Sequence, residues 1–371
     1  MNSEENLERL GWGQFFSESL SSLRREGLVS ETAFPARVVA QYGGEYAASD
    51  GNEVYRAVPI GRMKADLPER KPCVGDFVLI ARASITATTR IIHVLERKSL
   101  FRRRSPEGNH RSQAIAANID VAIVVCALSP ADADERVMRH GLNPSRIERY
   151  LAAISEAPAR AIVALNKSDL RSDALDLVSA LATELVGTDV VLTSAQNSTG
   201  LEQLSARISA GETCALVGSS GVGKSSIVNQ LTGSSAQRVG AVRDGDARGR
   251  HTTSHRELFV IPTGGCLIDT PGMRQLGLIS DSPTNPRATG FDEIDALAES
   301  CRYANCRHDL EPGCAVKEAL ESGQLSERRL EHARKLRREL EFLGDRRSYA
   351  SAKRSRQQAR TARGFQKRRT Q

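Results

Sequence analysis

The sequence has no long apolar segment and no leader of the secretory type. No run of 18 or more apolar residues occurs in the 371, so no transmembrane helix is predicted. The start, MNSEENLERLGWGQFF, is acidic and lacks the basic segment followed by an apolar one that marks a secretory signal. We therefore expect a cytoplasmic protein with no membrane partner.

The seven cysteines are not arranged as a disulfide framework. Cys126, Cys214 and Cys266 lie inside apolar, strand-like runs, where a buried free thiol is expected. The C-terminal cysteines lie instead within a few residues of a histidine. This usage is typical of a reduced, cytosolic protein with one metal site.

The metal-site candidate is Cys301-x4-Cys306-x-His308-x5-Cys314. Three sulfurs and one imidazole nitrogen fill all four positions of a tetrahedral site. Such a set of soft and borderline ligands favours zinc. The spacing therefore predicts one structural zinc ion, and unrelated buried thiols are the alternative.

Positive charge is concentrated at the C-terminal end. Ten of the 52 Lys and Arg residues follow Asp345, and no acidic residue lies among them. The rest of the chain has 42 basic and 45 acidic residues, so it is nearly neutral. Such a tail is expected to be disordered and to follow anionic polymers, above all nucleic acid. A solubilising tail without a partner is the alternative.

Changes in residue pattern along the chain predict a multidomain protein. We expect an N-terminal extension at 1–34, a β-barrel of the OB-fold type at 35–104, a central α/β domain at 105–285, a zinc-binding helical domain at 286–345 and a basic disordered tail at 346–371. Small barrels bind oligonucleotides or serve as spacers, so both roles stay open for this one.

The three central regions differ in pattern. Short β-type runs separated by Gly, Pro, Asn and Asp indicate a barrel of about five strands. The basic residues around these runs are Arg62, Lys64, Arg70, Lys71, Arg82, Arg90 and Arg97. From Asn118, continuous apolar runs alternate with helical patterns, which favours a mostly parallel sheet covered by helices. At the C-terminal end, helical spacing places five apolar residues on one face: Leu330, Ala333, Leu336, Leu340 and Leu343.

A phosphate-binding loop is predicted at Gly218-x-x-x-x-Gly223-Lys224-Ser225. It follows the apolar strand TCALV and begins the helix KSSIVNQL, which is the context this motif requires. Lys224 is expected to reach the β- and γ-phosphates and Ser225 to bind Mg²⁺. The remaining nucleotide-contacting residues predicted in this loop are Ser219, Ser220, Gly221, Val222 and Ser226.

Two later segments complete the phosphate end of the site. Asp269-Thr270-Pro271-Gly272 ends the strand GGCLIDT, so Asp269 is expected to hold Mg²⁺ through water and the Gly272 N–H to contact the γ-phosphate. The segment between the phosphate loop and this strand contains Thr252 and Thr253. It is predicted to be a switch that becomes ordered when nucleotide binds, and either threonine could then bind Mg²⁺. A plain mobile loop is the alternative.

A guanine-reading loop is predicted at Asn166-Lys167-Ser168-Asp169. A carboxylate accepts two hydrogen bonds from the N1–H and the exocyclic amine of guanine, and adenine offers no such pair. Asn166 and Lys167 are expected to steady the loop and cover the base. The TSAQ stretch adds Ser194 and the Ala195 N–H, which is expected to donate to the guanine oxygen.

These motifs occur in rotated order. The guanine reader comes first and the phosphate loop later, whereas an ordinary GTPase has the phosphate loop first. Rotation preserves every loop at a strand end if the original termini lay close and were joined, a change that domains commonly tolerate. We therefore predict a circularly permuted GTPase domain.

Hydrolysis also needs a residue that orients water on the γ-phosphate. Many GTPases use a Gln directly after Asp-x-x-Gly, but Met273 occupies that position here and cannot polarise water. His251, beside the switch threonines, is the best polar substitute, and a solvated loop histidine is the alternative. His251 and Lys224 are thus the predicted catalytic residues.

The combination resembles one family, the circularly permuted GTPases called RsgA or YjeQ, which act in maturation of the bacterial small ribosomal subunit. The resemblance rests on GSSGVGKSS, HTTS, DTPG, the barrel and the Cys/His cluster. It implies slow GTP hydrolysis accelerated by the small subunit, and a barrel and zinc domain bound to ribosomal RNA. It also implies a catalytic switch histidine, which His251 matches, whereas Ser254 replaces the usual third threonine.

The resulting expectation is a ribosome-stimulated GTPase that hydrolyses GTP to GDP and phosphate. Its predicted cofactors are one Zn²⁺ and the Mg²⁺ that accompanies GTP, its partners are the small subunit and its rRNA, and it is expected to be a monomer. Two alternatives stay open: an RNA-binding assembly factor with a structural nucleotide site, and a GTPase acting on another RNA or the large subunit.

Overall fold

The chain forms two compact units in a computed structural model. One unit comprises Met1–Arg103 and Ser112–Gly277, and the other Arg104–Arg111 and Leu278–Gln371. The structure describes residues 3–64, 71–81, 89–104, 112–132, 142–185, 187–233, 256–269, 291–309, 311–339 and 341–342. The predicted domain boundaries stay a prediction, and the basic tail lies outside the described residues. None of the described helices is long and apolar enough to cross a membrane.

Five strands close a barrel near the start of the chain. They are β1 (Phe34–Tyr42), β2 (Glu45–Ser49), β3 (Val54–Pro59), β4 (Phe77–Ala81) and β5 (Thr89–Val94). They hydrogen-bond in the order β1-β2-β3-β5-β4, and β1 also pairs with β4. The predicted barrel is therefore confirmed. The strands β6 (Leu100–Arg104) and β7 (Ser112–Ala117) then form a separate two-stranded sheet.

The α/β core follows the barrel. Its strands are β8 (Val121–Ala127), β9 (Arg160–Asn166), β10 (Asp189–Leu192), β11 (Thr213–Val217), β12 (Arg256–Val260) and β13 (Cys266–Asp269). They lie in the order β10-β9-β8-β11-β13-β12, with only β12 antiparallel to its neighbour in this part of the sheet. β8, β9 and β10 precede β11 in the chain but lie to one side of it. This arrangement confirms the circularly permuted core.

Short helices precede these strands or connect them. Those described in the first unit are α1 (Ser3–Glu8), α2 (Gln14–Arg25), α3 (Gly61–Lys64), α4 (Pro144–Ser155), α5 (Ala174–Glu184), α6 (Leu201–Ser205) and α7 (Lys224–Thr232). The central strands β8 and β11 are buried apolar runs, as a sheet covered on both faces requires. Cys126, Cys214 and Cys266 are buried free thiols in this sheet, as predicted, and burial raises the pKa of Cys126 to about 12.

Barrel and core share one continuous sheet of eleven strands. Ala40 and Gln41 of β1 pair antiparallel with Glu257 and Arg256 of β12. The Arg256 side chain adds hydrogen bonds to Gln41 Oε1 and to the Ala114 carbonyl, both at 3.3 Å. The strand that follows the predicted switch segment is therefore held directly against the barrel.

Arg37 is a fully buried arginine at the join of extension, barrel and core. Its guanidinium donates to the carbonyl oxygens of Leu10 and Gly75 and to Thr213 Oγ1, the last at 2.8 Å. It also lies 4.9 Å from the centre of the Phe77 ring. Burial lowers its pKa, and these acceptors compensate the buried charge. The sequence offered no local sign of this role.

Arg97 also has a structural role in the barrel. Its Nε and Nη2 atoms donate to the two Asp76 carboxylate oxygens at 2.7 and 2.8 Å, and Asp76 is fully buried. Asp76 in turn accepts from the Cys73 backbone N–H. A buried pair with this geometry is occupied in holding the chain together, so Arg97 is not a surface contact of the barrel.

The second unit is mostly helical in its described part. Its helices are α8 (Asp292–Glu299), α9 (Ala315–Glu321) and a third, α10, at 327–339. Leu330, Ala333 and Leu336 are buried, as their spacing predicted, whereas Leu340 and Leu343 lie outside the described residues. Ion pairs from α10 to α8 join Arg329 to Glu293 and Arg337 to Asp295.

Candidate nucleotide-binding site and metal centre

The phosphate loop connects β11 to α7. Gly218 has φ +144°, and a Cβ there would lie 2.3 Å from the Val125 carbonyl oxygen of the neighbouring strand, so only glycine fits. Lys224 Nζ donates to the carbonyl oxygens of Gly218 at 2.7 Å and Ser219 at 2.5 Å. These two acceptors fix the ammonium group over the loop, where a phosphate chain would lie.

The remaining residues of the predicted phosphate loop have conformations that suit anion binding. Gly221 and Gly223 have φ +80° and +95°, the left-handed conformation that glycine adopts without strain. Ser225 and Ser226 are exposed in the first turn of α7, whose backbone N–H groups offer an anion site. The structure brings together Gly218, Ser219, Ser220, Gly221, Val222, Gly223, Lys224, Ser225 and Ser226 as one loop and helix start.

The predicted guanine reader lies at the end of β9. Lys167 has φ +63°, an uncommon conformation for a non-glycine residue, and begins a 3-10 turn at Ser168–Leu170. The turn is tied to the next loop because the Ser168 N–H donates to the Thr193 carbonyl at 3.1 Å. Ser194 Oγ donates to the exposed Asp169 carboxylate. Both predicted loops thus meet at one place.

Asn166 joins the guanine reader to the phosphate loop. The buried Asn166 side chain donates from Nδ2 to the Val222 carbonyl at 2.9 Å and accepts from the Ala195 N–H at 3.1 Å. A Cβ on Gly223 would lie 2.2 Å from Asn166 Nδ2, so glycine there makes room for the link. The Ala195 N–H, predicted to face guanine, is bonded to Asn166 here, and its contact with the base stays a prediction.

Gln230 adds a second link that sequence reasoning missed. Its Nε2 atom, on α7, donates to the Ala195 carbonyl at 3.3 Å. No motif marks this position, because glutamine on an exposed helix face is ordinary. The α7 helix therefore contacts the base-binding loop directly as well as carrying Lys224.

Asp269 ends β13 at the same edge of the sheet. Ile268 pairs with Ala215 of β11, which puts Asp269 level with the residues that precede the phosphate loop. The carboxyl ends of parallel strands are where open α/β sheets bind ligands. The predicted residues His251, Thr252, Thr253 and Gly272 lie outside the described part of the chain.

The four predicted metal ligands meet at one point in the second unit. The Sγ atoms of Cys301, Cys306 and Cys314 and a ring nitrogen of His308 all lie within 4.8 Å of one another. His308 Nδ1 is 3.6 Å from Cys301 Sγ and 3.5 Å from Cys314 Sγ, and these two sulfurs are 3.9 Å apart. A tetrahedron with metal–sulfur bonds of ~2.3 Å has edges of about 3.8 Å, so the donor set fits such an ion.

The surroundings of His308 prepare its ring for a metal. Its backbone has φ +62°, and Arg334 of α10 donates to its carbonyl oxygen. Burial lowers the pKa of the His308 imidazole, and the guanidinium groups of Arg337 and Arg334 lower it further. A neutral imidazole is the form that binds a metal, so this environment favours coordination.

The chain is similar to one family over most of its length. Residues 94–279 match the family model described as RsgA GTPase. The small ribosomal subunit biogenesis GTPase RsgA of Syntrophotalea carbinolica is 35% identical over 344 residues, which cover 90% of each chain. The protein of the same name from Xylella fastidiosa is 38% identical over 344 residues, covering 92% of this chain and 98% of that one.

Solved structures agree with this similarity. YjeQ from Thermotoga maritima superimposes with a TM-score of 0.59 and 25% identity, over 83% of this chain and 98% of that one. YloQ, described as a circularly permuted GTPase, has a TM-score of 0.59 and 23% identity over 85% and 96%, and supports the fold alone. The family match and the identity along about nine-tenths of the sequence establish that this chain belongs to the RsgA GTPase family.

Proposed function

We propose that this protein is a GTPase that acts on the small ribosomal subunit during its maturation, hydrolysing GTP to GDP and phosphate. Its family membership supports the reaction and the setting. The observation that carries the proposal is the hydrogen bond from Asn166 to the Val222 carbonyl, which joins a guanine-reading loop to a phosphate loop. A site of this kind serves a guanine nucleotide rather than an isolated phosphate.

The described residues divide the work between base and phosphates. Asp169 accepts hydrogen bonds from guanine, while Lys224 contacts the β- and γ-phosphates. Ser225 would be a ligand of the Mg²⁺ that comes with GTP, and Asp269 would help to hold it. Such an ion, when bound, neutralises charge that develops on the phosphates. The orientation of Lys224 by two loop carbonyls supports its role.

The residues that complete catalysis belong to segments outside the described residues. We assign water orientation to His251, a Mg²⁺ contact to Thr252 or Thr253, and a γ-phosphate contact to the Gly272 N–H. These roles rest on the position of each residue in its motif and on the resemblance of HTTS and DTPG to the family pattern.

The partner surface is assigned to the barrel and to the second unit. A five-stranded barrel of this kind binds oligonucleotides in many proteins, and ribosomal RNA is the substrate class that fits the family. We assign zinc to the Cys/His cluster because three thiolates and an imidazole suit it and leave no open position. This zinc is structural, and we expect the protein to act as a monomer.

The test is GTP hydrolysis by the purified protein alone, with small subunits and with large subunits, at one fixed salt concentration. Strong stimulation by the small subunit only is the expected result. Salt is held constant because nucleic-acid binding depends steeply on it. Equal turnover in all three reactions, or stimulation by the large subunit only, would contradict the proposal.

A further inference from the structure

Arg146 stands at an unusual place on α4. Asn143 caps this helix and Pro144 is its first residue, which leaves Arg146 in the first turn, where no acidic residue is present. The N-terminus of a helix carries partial positive charge and favours acidic side chains, so a guanidinium group there opposes the helix dipole. Helix stability therefore does not explain the arginine.

The side chain of Arg146 reaches the phosphate loop. Its Nη1 atom donates to Ser219 Oγ at 3.0 Å. Tyr150, one helical turn later and buried, forms a side-chain hydrogen bond with the same serine. Residues four apart lie on one face of a helix, so both groups hold Ser219 from the same side.

The sheet brings these residues together. β8 leads towards α4 and pairs in parallel with β11, with Val124 opposite Val217, one residue before the phosphate loop begins. Because Gly218 lies directly against the Val125 carbonyl, the next residue, Ser219, leaves the sheet beside α4. The strand pairing thus brings the start of the phosphate loop within reach of the Arg146 side chain.

Ser219 is held at two atoms by two cations. Arg146 binds its hydroxyl, and the Lys224 ammonium binds its carbonyl oxygen at 2.5 Å. The orientation of Ser219 therefore depends on Arg146 of α4. The Ser219 carbonyl oxygen in turn helps to fix the position of the Lys224 ammonium group. A rotation of Ser219 would move one of the two acceptors that fix the ammonium group.

We propose that Arg146 is a positioning residue for GTP hydrolysis, acting through Ser219 on the phosphate loop and on Lys224. This rests on the proposed function of that loop as the GTP site. A charged hydrogen bond contributes enough that its loss should lower kcat/KM roughly tenfold. The loss should fall mainly on kcat, because the backbone N–H groups still bind the ground state while Lys224 is no longer aimed at the transition state.

The test is a double-mutant cycle on GTP hydrolysis by the full-length protein. Arg146→Met, Ser219→Ala and the double variant are compared for kcat and KM, with melting temperature as a check on folding. If Arg146 acts through Ser219, Arg146→Met has little effect once the hydroxyl is absent. Tyr150→Phe, which removes only a hydroxyl, should give a smaller loss that also disappears in the Ser219→Ala background.

Two further variants sharpen the result. Arg149→Met removes an exposed positive charge from the same helix and should leave kcat and KM near those of the wild type. Arg146→Lys keeps the charge and should recover part of the activity. Unchanged kinetics of Arg146→Met, or an equal loss in both backgrounds, would overturn the inference. A wild-type protein without turnover, alone or with subunits, would instead contradict the proposed function.

Discussion

The nucleotide site and the Cys/His cluster are built in opposite ways. The nucleotide site unites loops that are far apart in the chain, and hydrogen bonds such as Asn166 to Val222, across 56 positions, hold it together. The cluster uses four side chains from fourteen consecutive residues, Cys301 to Cys314. The buried sheet prepares the first site, whereas the second brings together four groups whose chemistry suits a metal ion.

This difference has an energetic consequence. The loops of the nucleotide site extend from strands buried in a common core, so folding of the first unit already orders them. Three thiolates held this close repel one another unless a cation lies between them. The described helices of the second unit are short, so we expect a bound metal to contribute much of its stability.

Metal removal should have the largest effect and should separate the two regions. Structural zinc contributes about 10–16 kcal/mol of apparent binding free energy in small domains, so a chelator should unfold the second unit. Helical circular dichroism should fall while GDP affinity, which depends on the first unit, is retained. Cys314→Ala should lose the metal and Cys126→Ala should keep it. A metal-free protein with an unchanged melting curve would contradict this account.

Lys224→Ala should have the next largest effect, on the other region. Removing the ammonium group should lower GTP turnover by roughly 10²–10³-fold, because preorganised charge at the phosphates is lost. Metal content and melting temperature should stay near wild-type values, since Lys224 belongs to the phosphate loop of the first unit, where its ammonium group donates to two loop carbonyls. Retention of turnover would show that the loop is not catalytic.

Gly223→Ala should test the link between the two nucleotide loops. The new Cβ would lie 2.2 Å from Asn166 Nδ2, and the backbone is left-handed, which alone costs an alanine about 1 kcal/mol. Gly221→Ala is the matched control, since its φ is similarly positive but no atom lies within 4 Å of the new Cβ. In nucleotide-free protein, Gly223→Ala should lower the melting temperature more than Gly221→Ala. Equal losses would mean that the Asn166 link is not tight.

Asp169→Asn should have the smallest effect on stability and a specific effect on binding. The exposed Asp169 side chain hydrogen-bonds to Ser194, so the fold should persist. The neutral amide of asparagine has one acceptor oxygen, whereas the charged carboxylate accepts both hydrogen bonds from guanine. GDP affinity should therefore fall roughly 10–100-fold. Isothermal titration measures this, and unchanged GDP affinity would remove Asp169 from the guanine site.

The sequence was informative wherever function demands a local pattern. The strand–loop–helix context of Lys224, the guanine reader at the end of β9 and the cysteine spacing each needed only a short window of residues. Their order along the chain was enough to predict the permutation. The strand order β10-β9-β8-β11-β13-β12 confirms that prediction.

Contacts between distant residues were not predictable in this way. Arg37 reaches Thr213 across 176 positions, and the pairing of β1 with β12 joins segments separated by more than 200. Neither leaves a periodic or local signal, because each depends on how finished elements pack. The pairing of Arg97 with the buried Asp76 is likewise evident only in the fold.

Titration of the free protein with GDP and with ADP tests most directly the central claim that the sheet prebuilds a guanine-specific site. GDP should bind and ADP should bind at least roughly 10³-fold more weakly, since adenine does not offer the pair of donors that the Asp169 carboxylate accepts from guanine. The preference for GDP over ADP should persist after the metal of the Cys/His cluster is removed. Equal affinity for the two nucleotides, or a guanine preference that vanishes with the metal, would contradict the claim.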